Sequence, residues 1–317
     1  MVISSNMTDS NVWVREVGTR DGLQSIDTIF PTEKKVEWIR QESAAGVPEI
    51  EVGSFVPAKL LPQLADTNDV ISRTCNISGL RVSALVPNFR GAIDGMASGA
   101  HQLNYVLSVS EAHSQANTRK TVEEAVLDFG RITNYRKENP EYHHILLAAG
   151  LATAFGCTIA GRIDEKDVLT TLESLLEYSP DEVVVADTVG FANPSQCRRI
   201  FKQVLSMTGD IPVSAHFHDT RGLGLANVDA ALDEGVRKFD ASLGGLGGCP
   251  YAPGASGNIV TDDLVFMLEA MGMNTGISLD QLLLARSLME SNLNDEVTRG
   301  AFVNAGFPKG FQPESVT

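Results

Sequence analysis

The chain is short of what several function classes require. It has 25 Lys and Arg against 40 Asp and Glu, a net charge of −15. Neutralising a phosphate backbone needs a basic face, so nucleic-acid binding is not expected. The same charge repels an anionic ligand at long range, so an acidic substrate would need local arginines, lysines, backbone N–H groups or a metal. No apolar run approaches the roughly 20 residues that cross a bilayer, so no membrane span is expected. The opening MVISSNMTDSN lacks a basic stretch followed by an apolar one, which predicts no secretory signal and a cytoplasmic protein. Cys75, Cys157, Cys197 and Cys249 make no C-x-x-C pair and no zinc-knuckle spacing. Free thiols in a reducing compartment are the expectation.

Also missing is any low-complexity linker or charge block that would divide the 317 residues. Instead, β-branched runs stand at 12–17, 48–55, 81–86, 102–109, 144–152, 181–187, 212–218 and 237–243, with amphipathic stretches between them. Asn193-Pro194 reads as a helix N-cap followed by proline in the first helical position. Gly46, Gly99 and Gly235 stand where helices should stop. Strands alternating with helices imply right-handed βαβ units and a parallel sheet. Eight units fit a (β/α)8 TIM barrel over about 12–257, within one domain covering 1–317. The runner-up, an open doubly wound sheet, would want G-x-G-x-x-G or a phosphate loop after the first strand, where GTRDGLQS stands. Two more helices are expected over about 258–295, and 296–317 reads as a poorly ordered tail or short arm.

In such a barrel, chemistry sits at the C-terminal ends of the strands. Arg20 and Asp21 fall after the first run, Glu51 on the second, Asp187 and Thr188 after the sixth, and His216, His218 and Asp219 at the end of the seventh. The strands are otherwise expected to be apolar. His216 and His218, two apart on a strand, leave one face and suit a divalent cation, or they simply fill the barrel mouth. Asp21 would add an oxygen ligand, and imidazole with oxygen and no thiolate points to Mg²⁺ or Mn²⁺. Arg20 would suit an enolate or carboxylate oxygen. Glu51, set among Ile50, Val52 and Phe55, needs a partner, with Arg20 the candidate. After the eighth run comes GGLGGCPYAPGASGN at 244–258, six of its fifteen residues glycine. That is a loop and not an element interior. Cys249 within it reads as a catalytic acid or base on a mobile lid, against a small buried residue. Asn258 reads as a metal ligand, as the N-cap of the following helix, or as both.

At these residues the chain resembles the 3-hydroxy-3-methylglutaryl-CoA lyase family within the DRE-TIM metallolyases, from about Val14 to Leu283. The hallmarks are VGTRDGLQ at 17–24, IEVGSFVPAKLLPQLAD at 50–66, ADTVG at 186–190, HFHDT at 216–220 and GLGGCPYAPGASGN at 245–258. The resemblance implies a divalent metal on Asp21, His216, His218 and Asn258. It implies Asp21 or His216 as base for the substrate hydroxyl, Arg20 stabilising an acyl-CoA enolate, Glu51 orienting Arg20, and Cys249 in the proton transfer that gives acetyl-CoA. Gln24 and Thr188 complete the set as substrate contacts, while Arg221, outside the family pattern, either pairs with a substrate carboxylate or is a solvated first-turn residue. Lys59 and Arg90 are candidates for coenzyme A, and a homodimer or higher homo-oligomer is expected.

The chain departs from the family pattern at Arg221, where a tyrosine is common, and at GCTIAGR, 156–162, where GCPYEG is common. Those departures leave three substrates in view: 3-hydroxy-3-methylglutaryl-CoA, citramalyl-CoA, or a longer 3-substituted glutaryl-CoA. An acyl-CoA-condensing transferase shares the barrel but not the cysteine loop. A catalytically dead scaffold does not fit a mouth whose expected polar positions are all filled.

Overall fold

Each of the eight runs forms a strand in the computed structural model, which describes residues 11–247, 257–293 and 295–311. They are β1 (Trp13–Glu16), β2 (Glu49–Ser54), β3 (Arg81–Val86), β4 (Gln102–Ser108), β5 (Leu146–Ala152), β6 (Glu182–Asp187), β7 (Val213–Phe217) and β8 (Lys238–Ala241). They follow one another in chain order, all parallel, and β8 returns to β1 with Trp13 opposite Lys238 and Glu16 opposite Ala241. That seam closes the TIM barrel and excludes the open sheet.

Among the described residues the helices are α1 (Thr32–Ala44), α2 (Thr67–Thr74), α3 (Phe89–Ala97), α4 (Glu111–Thr118), α5 (Val122–Glu138), α6 (Glu165–Leu176), α7 (Pro194–Thr208), α8 (Gly224–Glu234), α9 (Thr261–Ala270), α10 (Leu279–Ser291) and α11 (Phe302–Ala305). Their ends follow local chemistry. Asn193 caps α7 by accepting from the Gln196 N–H, with Pro194 in the first turn. Thr121 and Glu124 form a reciprocal capping box at α5. Gly235 ends α8 with a positive φ of 110°.

One expectation needs revision. The strands are not otherwise apolar. At their N-terminal ends Arg15, Glu49, Glu182, Lys238 and Asp240 are buried inside the barrel. Arg15 bonds Asp240 at 2.8 Å and Glu49 and Glu182 at 3.2 Å, while Lys238 bonds Glu49 at 2.8 Å and Glu182 at 2.7 Å. Ions can sit there because each finds opposite charge where solvent is excluded. Of the segment 296–317, read as a tail or a short arm, the described part packs back on the chain. Phe302 is buried and stacks on Phe266, and the Arg299 N–H donates to the Gly244 carbonyl at 2.8 Å.

Candidate active site

The chain leaving β1 does not run straight into a helix. Gly18–Gly22 winds one wide π-helical turn in which Arg20, Asp21 and Gly22 all direct their N–H groups at the Val17 carbonyl. Such turns recur at functional sites, and this one presents two adjacent buried charges. The Arg20 Nε donates to a Glu51 carboxylate oxygen and its Nη1 donates to Asp21 Oδ1 at 2.6 Å. Burial alone would favour the neutral guanidine. Glu51 and Asp21 overcome that and raise the Arg20 pKa, so the cation is fixed. Glu51 is itself braced by Asn104, whose Nδ2 donates to Oε1 at 2.7 Å. The partner expected for Glu51 is therefore in place.

Asp21 has no oxygen to spare among its neighbours. Oδ1 accepts from Arg20 and from Gln24 Nε2 at 2.7 Å. Oδ2 accepts from Asn258 Nδ2 at 2.7 Å and lies 3.6 Å from His218 Nε2. Burial pushes this carboxyl up, but Arg20 and the two imidazoles outweigh it and hold it well below the usual carboxylate range. His216 ends the inward face of β7 and His218 follows just beyond it. Their ring centroids are 5.0 Å apart, and burial lowers the His218 pKa, favouring neutral imidazole. Donor atoms of Asp21, His216 and His218 lie within 4.8 Å of one another.

Asn258 is not the cap of α9, whose N-cap is Val260. Residues 257–260 are instead stitched to the ends of β7 and β8. Asn258 bridges His218, the Asp219 N–H donates to the Gly257 carbonyl at 2.9 Å, and the Ser242 N–H donates to the Ile259 carbonyl at 3.0 Å. This pairing carries the Asn258 amide to Asp21. Gly247 makes the approach possible: with φ of 107°, a Cβ there would overlap both Asn258 Nδ2 and Asp21 Oδ2.

The remaining expected contacts are more scattered. Thr188, half-buried, accepts from the Thr153 N–H at 2.8 Å. Arg221 stacks 4.5 Å from the Phe191 ring centroid and donates to the Val189 and Gly190 carbonyls. Lys59 and Arg90 are exposed, Arg90 pairing with Asp94. Cys249 lies outside the described residues.

Sequence reading missed Asn104 and Asp240. Asp240 Oδ2 lies 3.1 Å from His216 Nδ1. The available signal was a polar residue at an inward strand position, in QLNYVL and in KFDASL.

The donor set passes a test for a divalent cation. Asn258 is 1% exposed and its Nδ2 is engaged by Asp21 and Leu246, yet its Oδ1 has no hydrogen-bond partner among the described residues. An orphaned buried acceptor beside a carboxylate and two imidazoles suits an ion that takes oxygen and nitrogen ligands.

A family model described as HMGL-like matches residues 11–289. The chain belongs to the HMGL-like family. Among its HMGL-like relatives is a hydroxymethylglutaryl-CoA lyase of Bacillus subtilis, 38% identical over 89% of this chain and 93% of that one. An (R)-citramalyl-CoA lyase of Chloroflexus aurantiacus is 36% identical over 89% and 91%. The structure of an HMG-CoA lyase from Acinetobacter baumannii, in complex with coenzyme A and 3-methylmalate, superposes with a TM-score of 0.90 at 39% identity, covering 98% of this chain and 99% of that one. This HMGL-like chain is thus a lyase of the hydroxymethylglutaryl-CoA lyase type. Among the described residues no helix is long and apolar enough to cross a membrane.

Proposed function

We propose that the chain cleaves 3-hydroxy-3-methylglutaryl-CoA to acetyl-CoA and acetoacetate, using Mg²⁺ or Mn²⁺ held by Asp21, His216, His218 and Asn258. The observation that carries this reading is the meeting of the Asp21, His216 and His218 donors within 4.8 Å, beside the partnerless Asn258 oxygen. A divalent ion bound there supplies a Lewis acid that lowers the pKa of the substrate's tertiary hydroxyl.

The chain's own groups account for the rest. The hydroxyl gives up its proton, the C2–C3 bond breaks, and its electron pair becomes the enolate of the acetyl thioester. Arg20, locked by Glu51 and Asp21, offers a fixed guanidinium to that oxygen. Because it is fixed before reaction, no reorganisation is needed when charge develops. Cys249 delivers the proton to C2. Asp21 and His216 are the two candidates for the base that takes the hydroxyl proton. Gln24, Thr188 and Arg221 contact the substrate, with Lys59 and Arg90 toward coenzyme A. A cytoplasmic homo-oligomer built of one lyase domain completes the proposal.

A second reading keeps the chemistry and changes the substrate to citramalyl-CoA, giving acetyl-CoA and pyruvate. It is favoured by the similarity to the Chloroflexus enzyme and by Arg221, whose cation stands at the mouth on Phe191. The deciding experiment offers both thioesters to metal-stripped protein re-supplied with Mg²⁺ or Mn²⁺ and identifies the keto acid. Metal-dependent acetoacetate supports the first reading. Pyruvate alone moves the substrate, and Arg221→Tyr should then shift the ranking. Equal cleavage with and without metal overturns the metal site.

A further inference from the structure

His216 is expected both as a metal ligand and as a base for the substrate hydroxyl, and one imidazole nitrogen cannot do both at once. The barrel interior decides between them. His216 Nδ1 lies 3.1 Å from Asp240 Oδ2. The other Asp240 oxygen accepts from Arg15 Nε at 2.8 Å, and Arg15 is held in turn by Glu49 and Glu182 at 3.2 Å. All five groups are buried. Asp240 therefore cannot rotate away from His216 without abandoning Arg15, and Arg15 cannot follow without abandoning two more carboxylates. Asp240 meets the Arg15 guanidinium at one oxygen and the His216 ring at the other, the arrangement of a carboxylate that accepts at both. An ionised carboxylate only accepts, so the shared proton sits on Nδ1, and the Nε2 lone pair is the one left for the ion.

We infer that Asp240 is a positioning residue that commits His216 to metal binding through Nε2, with Arg15 holding Asp240 in place, and that the hydroxyl proton is therefore taken by another group. The inference rests on the metal site proposed above. It also explains what the charged interior of the barrel does, since His216 is oriented by a network whose far end lies at the opposite mouth. Carboxylates behind ligating histidines typically affect metal affinity by about 10–100-fold.

Two measurements test it. The first needs no variant. In metal-stripped wild-type protein labelled with ¹⁵N-histidine, the His216 signals, assigned by their loss in His216→Gln, should report a proton on Nδ1 and a bare Nε2. A proton on Nε2 overturns the inference, whatever the enzyme's activity. The second is the Mn²⁺ dissociation constant, from competition with a chelating dye. Asp240→Asn should weaken binding about 10–100-fold, because its amide can turn an N–H toward Nδ1 and drive the proton to Nε2. Glu182→Gln touches Arg15 but not His216, and it should leave the constant within about twofold. Equal weakening in both variants would mean that the network only supports the fold. Unchanged binding in Asp240→Asn would also overturn the inference. If wild-type protein binds no Mn²⁺, the metal reading falls with it, and the His216 tautomer still shows separately whether Asp240 sets the ring.

Discussion

At the N-terminal end of the barrel, Arg15, Glu49, Glu182 and Lys238 are buried and each charge meets an opposite one within 3.3 Å. At the C-terminal end, Asn258 Oδ1 and His218 Nδ1 are just as buried and meet no partner among the described residues. Both regions are polar, both are enclosed, and they lie in one barrel. The first set is satisfied by the chain alone. The second holds polar atoms that no described residue satisfies. Burial of charge by itself therefore does not mark a site; what sets the second region apart is leftover polar atoms gathered beside a carboxylate and two imidazoles. The two regions are joined at two places. Asp240 links Arg15 to His216, and Gln102, Asn104 and Glu51 form a hydrogen-bonded path from Glu182 to Arg20.

The sharpest way to break the comparison is at the open end. His216→Ala should cost about 10³-fold or more in cleavage, at or beyond the loss of a single preorganised electrostatic contact. Its folding should change little, since the site does not hold the barrel together; steady-state kinetics and thermal melting separate the two. At the closed end the pattern should reverse. Lys238→Met leaves Glu182 with Arg15 alone and Glu49 with Arg15 and Arg81, and should destabilise the fold by about 3–5 kcal/mol, read by chemical denaturation. The Mn²⁺ affinity of the folded fraction should be kept; a loss there comparable to that of His216→Ala would erase the distinction. Gly247→Ala pushes a methyl between Asp21 and Asn258 and should weaken Mn²⁺ binding about 10–100-fold, the range seen when a ligand's support is disturbed.

The smallest effect sharpens the comparison at a third place. Glu42 is wholly buried. Its Oε1 accepts from Trp38 Nε1 at 2.6 Å, and its Oε2 has no partner among the described residues. Burial and the nearby Glu16 carboxylate push its pKa well up. A carboxyl whose pKa is higher folded than unfolded contributes stability that is complete below the unfolded value, ~4.3, and lost as pH rises through the folded one. Glu42→Gln should therefore be more stable than wild type at pH 8 and equal to it near pH 4. A pH-independent difference in melting temperature would contradict this.

The closed barrel was legible because eight β-branched runs alternate with helical patterns, and all eight strands lie within those runs. Much of the open site was legible too. Arg20 with Asp21, and His216 with His218, sit close together in sequence at strand ends, where barrels carry chemistry. The charged interior was not. Arg15 and Asp240 are 225 positions apart, and Lys238 and Glu49 are 189. Each reads locally as one stray charge in a strand, and only ring closure makes them neighbours. Asn258 misleads as a helix cap because its neighbours fit a helix start. Pairing with the ends of β7 and β8 delays the helix to Thr261.

The bond from Asn258 to Asp21 spans 237 positions, and this has a consequence for synthesis. Asp21 emerges from the ribosome early, yet Asn258 arrives only after every later strand of the barrel has followed. Nascent chains that stop short of β7 hold a carboxylate and an arginine but neither His216 nor His218 beside them, so they have no cation site to fill. A cation held by these donors would therefore be taken up only by chains that have closed the ring, and its binding would report completion of the fold.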